Sequence, residues 1–170
     1  MKLTTTLNRI RQHSPCQSGG KTLLKHLGKT ESDDTEINLL TILDSNGVPD
    51  MLWCLRATVE DSKKVSSQLA IEFAEEALPI FEARYPNDLR PRLCLQACRD
   101  YLSGVITLEQ LRKAREDAAY VADADAAADA AAYVAYVAAY VAYVAADASS
   151  AARQSARDRQ AQIIRSILGN

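Results

Sequence analysis

The stretch Tyr133-Val134-Ala135-Tyr136-Val137-Ala138-Ala139-Tyr140-Val141-Ala142-Tyr143-Val144 decides the fold class. Its four tyrosines recur at i, i+3, i+7 and i+10, and its four valines do the same one position later. On a helix these make two adjacent stripes covering about half the circumference. The other half is alanine alone, which lets a second helix approach closely. The reading is a central helix wrapped by others, in an all-α, compact multi-helix bundle.

Working outward, glycine and proline punctuate the first 104 residues and are absent between Val105 and Leu168. That boundary divides a short-helix region, 1–104, from an Ala-rich helical region, 105–170, expected to pack as one domain. Thr107 and Gln110 have capping-box spacing and open the second region. A single helix over 108–168 would be about 90 Å long. A globule of this length is about 40 Å across, so the helix must break, with Asp147-Ala148-Ser149-Ser150 the first candidate.

The first region reads as short helices over Thr6–Gln12, Lys21–Leu27 (ended by Gly28), Glu36–Leu43 (ended by Asn46-Gly47) and Asp50–Ala57, the last opened by Pro49. A longer one runs from Asp61 or Ser62 to about Tyr85, where Pro79 should kink or break it. Pro91 opens another, ended near Ser103-Gly104.

The net charge of −2 is too small to argue for nucleic acid or an anionic membrane. The charges are nonetheless segregated. Residues 1–30 carry six cations and no acid, whereas 31–62 carry eight acids and only Arg56. Either the two segments neutralise each other or the asymmetry steers a partner. The N-terminus does not read as a signal peptide, and no run suits a bilayer span. Cys16, Cys54, Cys94 and Cys98 read as reduced thiols. The expectation is therefore a cytoplasmic protein.

Little points to catalysis. Gly20-Lys21-Thr22 and Gly28-Lys29-Thr30 resemble the end of a phosphate loop, but Pro15 and Leu23 occupy the positions where its first glycine belongs. Cys94 and Cys98 lie four apart on one helix face, as core residues do. No acid pairs with a nucleophile and an orienting group. The chain is read as a non-enzyme with no cofactor and no metal site.

Candidate partner-binding residues cluster in two places. Glu31, Asp33, Asp34 and Glu36 form an acidic loop suited to a basic target. Asp50, Trp53 and Arg56 follow in the segment holding the only tryptophan, and Trp and Arg anchor interfaces. The competing reading puts Trp53 in the core and pairs Arg56 with an acid. A nucleic-acid module using Arg9, Lys21, Lys25 and Lys29 is the reading from a different class. The Ala-rich helix also offers a face for a homodimer.

Residues 70–115 carry a further pattern: Ala74-Glu75, Leu78-Pro79-Ile80-Phe81-Glu82, Tyr85-Pro86, Asp88-x-Arg90-Pro91-Arg92 and Gly104. With the Ala-rich tail, this resembles the alanine-rich immunity proteins of bacterial toxin systems. This chain has Glu76 where an arginine often follows the Ala-Glu pair, and tyrosines where tryptophan is frequent. Leu7 to Arg56 is similar to small phage and prophage proteins. The resemblance implies a non-catalytic inhibitor that occludes a toxin or another effector. A phage-encoded inhibitor of a bacterial defence complex, of the anti-CRISPR kind, is the alternative. The residues also have a physical reading of their own, a rigid helical corner in which Arg90 and Arg92 reach back to Glu82 or Asp88.

Overall fold

The computed structural model describes residues 2–119 and 150–169. The Tyr/Val/Ala helix, its central place and the break at 147–150 fall outside the described residues. Within them the protein is all-α, with one two-stranded ladder. The elements are β1 (Thr4–Thr5), α1 (Leu7–Gln12), α2 (Gln17–His26), β2 (Ile37–Asn38), α3 (Leu39–Asn46), α4 (Val48–Cys54), a 3₁₀ turn (Leu55–Ala57), α5 (Lys63–Arg84), α6 (Arg90–Leu102), α7 (Leu108–Ala119) and α8 (Ser150–Leu168). They form two compact units, residues 1–66 with 154–170, and residues 67–153.

The first unit is organised around its N-terminal strand. Thr4, Thr5 and Thr6 are β-branched residues that fit a pleated backbone, and all three are buried. β1 pairs antiparallel with β2, Thr4 opposite Asn38 and Thr5 opposite Ile37. On its other side the Val59 amide donates to the Thr4 carbonyl at 2.8 Å. The Thr5 hydroxyl donates to the Ala57 carbonyl at 2.6 Å, and the Thr4 amide and hydroxyl both donate to Glu60. Every buried side-chain polar atom among the described residues is satisfied, as burial requires. Leu3, Leu39, Ile42 and Met51 are fully buried around this strand's unit. So is Ile164 of α8, which belongs to the same unit. The Arg165 guanidinium meets Asp44 of α3 at 2.5 Å.

Two helix starts differ from expectation by three residues or more. α3 begins at Leu39 rather than Glu36, because Ile37 and Asn38 are claimed by the ladder. Asn38 then caps the helix, its Oδ1 accepting from the Leu40 amide at 2.9 Å. α2 begins at Gln17 rather than Lys21, with the Cys16 sulfur accepting from the Gly19 amide. Its two glycines argue against helix by propensity. Gly19 is there for space: a Cβ on it would sit 2.7 Å from Asp50 Oδ2. At the other end of α3, Gly47 supplies the φ of +85° that lets α4 follow directly.

The second unit is built on longer helices. α5 runs through Pro79 without a break, although proline leaves the Glu75 carbonyl without its helical donor. Ala74 and Leu78 of α5 form a buried cluster with Leu95 of α6. α6 and α7 pack along each other. The Thr107 hydroxyl accepts from the Gln110 amide at 3.3 Å, and Gln110 Oε1 accepts from the Thr107 amide at 2.8 Å, the reciprocal box expected from the sequence.

Candidate partner-binding surfaces

The acidic loop connects α2 to β2. Glu31, Asp34 and Glu36 are exposed and Asp33 is half-buried. Asp33 is tied down locally. Its carboxylate accepts from Lys29 Nζ at 2.5 Å and from the Thr35 amide, and its carbonyl accepts from the Asn8 amide. The hydrogen bond from Lys29 holds the Asp33 acid below the usual carboxylate range. Asp34 accepts from the Thr6 hydroxyl at 3.4 Å. Lys29 is thus one of the six N-terminal cations that neutralises an acid of this loop. Arg9 instead donates to the Ala57 and Thr58 carbonyls at 3.1 and 2.5 Å. Two of the four cations in the nucleic-acid reading therefore have intramolecular work.

Asp50, Trp53 and Arg56 do come together. Trp53 is half-buried, so it is not simply a core plug. The Arg56 guanidinium lies 4.9 Å from the Trp53 ring centroid, and its Nε donates to the Trp53 carbonyl at 3.1 Å. Its partner is thus the indole rather than an acid, a cation–π arrangement. Asp50 Oδ2 accepts from Asn46 Nδ2 at 2.8 Å, while the same amide nitrogen donates to the Gly19 carbonyl at 2.9 Å. Asp50 and Trp53 help line a cavity of about 120 Å³ between α2, α3 and α4.

That cavity also receives two thiols. Cys16, at its rim, is exposed, and the Ser18 hydroxyl and Gly19 amide lower its pKa against the opposing charge of Asp50. Cys54 is buried, and burial with the same carboxylate pushes its thiol up to about 12. Cys94 and Cys98 lie in the second unit. Cys94 is buried and Cys98 half-buried, and their mutual hydrogen bond lowers the Cys94 pKa and raises that of Cys98. Among the described residues, no three His, Cys, Asp or Glu converge on a metal position. No helix there is long and apolar enough to cross a membrane.

Sequence reasoning missed a surface at the α5–α6 corner. Arg84, Tyr85, Leu89 and Leu93 line an open groove of about 620 Å³. Leu93 is 63% exposed and Ile80, Tyr85 and Leu89 are each about half exposed. Large apolar side chains gathered at one exposed corner mark an interaction site more often than chance exposure. The framework beneath them is fixed. Arg92 forks onto Glu82 with bonds of 2.8 and 2.6 Å, and Arg90 forks onto Asp88. Bidentate pairs of this kind define orientation as well as distance. Phe81 and Tyr85 pack with tilted rings, 5.0 Å between centroids, and the Arg84 guanidinium lies 5.7 Å from the Tyr85 ring centroid. The sequence signal was present, since Leu89 and Leu93 are one turn apart beside the Tyr85-Pro86 stop.

Residues 56–162, more than half of the chain, match the family of Imm-5 like putative immunity proteins. The α5–α6 corner lies inside the match. The acidic loop, Asp50 and Trp53 lie before it, and Arg56 is its first residue. Comparison with the curated proteins and with the solved structures gives no match.

Proposed function

We propose that this chain, which belongs to the family of Imm-5 like putative immunity proteins, is a non-catalytic inhibitor that occludes a toxin or similar effector by binding it. The carrying observation is the α5–α6 corner: an apolar, exposed surface on a salt-bridged framework, inside the family-matched stretch. Tyr85, Leu89 and Leu93 supply the apolar contact, and Arg84 beside the Tyr85 ring supplies the kind of aromatic–arginine anchor that dominates interface energetics. The acidic loop Glu31, Asp33, Asp34 and Glu36, with Asp50, Trp53 and Arg56, is the second proposed contact region and suits a basic target.

Co-expression with candidate toxins from the genes flanking its own tests the reading. Growth rescue and a stoichiometric complex on gel filtration are expected. Leu93→Asp should abolish both, because it puts an unpaired charge into the contact, while circular dichroism stays native. Charge reversal of Asp33 and Asp34 should weaken the complex without changing the fold. Neither rescue nor complex with the wild-type chain would overturn the proposal. Rescue of phage growth against a bacterial defence complex instead would move the target from a toxin to that complex, the anti-defence alternative.

A further inference from the structure

The cavity between α2, α3 and α4 has a chemical asymmetry that its walls make plain. Ile10, Leu23 and Trp53 give it apolar sides. Its polar members are Asn46, Asp50 and the two thiols, so the lining holds one carboxylate and no cationic side chain. Asp50 forms no ion pair among the described residues. Asn46 donates to one of its oxygens, and its charge adds to burial in raising the Cys54 thiol and opposes the hydrogen bonds that lower the Cys16 thiol. Asn46 is already spent as a donor, its amide nitrogen shared between Asp50 and the Gly19 carbonyl. The Asn46 oxygen accepts from the Ser45 hydroxyl. What remains for a visitor at this end is acceptor capacity and negative charge.

Volume sets the size of that visitor. Pockets for whole small molecules run about 300–1,000 Å³. A cavity of about 120 Å³ is smaller even than the roughly 150 Å³ engineered cavity that accepts benzene. It has room for one side chain. An alkyl stem against Ile10, Leu23 and Trp53, ending in a cation at Asp50, satisfies both ends at once, as long basic side chains do at amphipathic sites.

We infer that this cavity is a socket for a single basic side chain, lysine or arginine, of the protein partner. This rests on the partner-binding reading above and gives the chemistry of one contact. Gly19 belongs to the device, because any side chain there would collide with the carboxylate that reads the charge.

The chain contains one tryptophan, so its indole N–H gives a single NMR signal at the cavity wall. Titration with n-butylguanidinium, at millimolar concentration, should move that signal saturably. The neutral isostere n-butylurea should move it at least about tenfold more weakly, because a charge-assisted hydrogen bond is lost. Asp50→Asn should reduce the guanidinium affinity by a similar factor and leave the urea unchanged. The comparison of the two probes on the wild-type chain needs no variant, so it stands even if Asp50→Asn disturbs the fold. Equal response to both probes, or no response to either, overturns the socket. Leu93→Asp should retain the butylguanidinium response while losing the partner. A missing response with intact growth rescue removes the socket alone, and a response without rescue removes the inhibitor reading.

Discussion

The two units solve the same problem in opposite ways. In the first, short elements are held by side chains that reach across the sequence to backbone carbonyls, as Thr5 and Arg9 do at Ala57 and Thr58. Its one large apolar side chain that stands exposed, among the described residues, is Val59. In the second, long helices are joined by arginine–carboxylate pairs at the surface, and among the described residues seven large apolar side chains are exposed: Ile80, Tyr85, Leu89, Leu93, Tyr101, Val105 and Leu108. The first unit spends its sequence on internal closure. The second leaves apolar area free and orders it with charge. A binding protein needs both, since a contact surface presented on a rigid frame loses less entropy when it is bound.

The largest effect should come from the core of the first unit. Ile164 is fully buried, although it lies more than a hundred residues from Leu3, Leu39, Ile42 and Met51 of the same unit. Ile164→Ala removes its methyl groups and leaves a cavity, a change that costs about 2–5 kcal/mol. Urea unfolding should show it, and native-state hydrogen exchange should show where. Faster exchange is expected in β1, α3 and α4, with α6 keeping its protection. Equal loss in both units would erase the contrast. Arg9→Met comes next. The guanidinium bonds to two carbonyls, and a hydrogen bond to a charged group contributes about 1.5–3 kcal/mol. The methionine stem keeps the packing, so a loss of about 2 kcal/mol in urea unfolding isolates the bonds. No change would mean that closure of the 57–58 segment rests on Thr5 and the flanking Thr4 bonds to Val59 and Glu60.

Much of this contrast was legible beforehand. The all-α class, the Thr107–Gln110 box, the stop at Asn46-Gly47 and the arginine pairs at the corner follow from residues within about ten positions of one another. The ladder was not legible. Thr4, Thr5 and Ile37 carry strand propensity, but two residues on each side are too few to show a period, and their pairing spans more than thirty positions. Gly19 misled for a related reason, because propensity counts the cost of a glycine and cannot see the carboxylate that needs its space. Of the candidate site residues, Asp50, Trp53 and Arg56 meet because they share one short helix and its 3₁₀ extension. The 120 Å³ cavity beside them depends on α2 and α3, which no local pattern announces.

The smallest stability effect should come from the second unit's ion pairs, and its size sharpens the comparison. Arg99 of α6 forks onto Glu75 of α5 and also reaches Glu72 at 3.2 Å. Three charges in one cluster restrict one another, which gives such a group more than an isolated pair. Yet Arg99 and both carboxylates are roughly a third exposed, so water and salt screen the attraction. Exposed pairs contribute about 0–1 kcal/mol, and Arg99→Gln should cost no more than that in urea. Because urea is uncharged, the same titration can be repeated across salt concentrations. The difference between wild type and variant should shrink toward zero near 1 M NaCl, where the screening length falls to about 3 Å. The Arg9→Met deficit should persist there, because its acceptors are carbonyl dipoles in a partly buried site. If Arg99→Gln costs as much as Arg9→Met, or its cost survives high salt, the arginine cluster is a structural keystone of the second unit rather than a screened surface group. The exposed apolar side chains would then need another account.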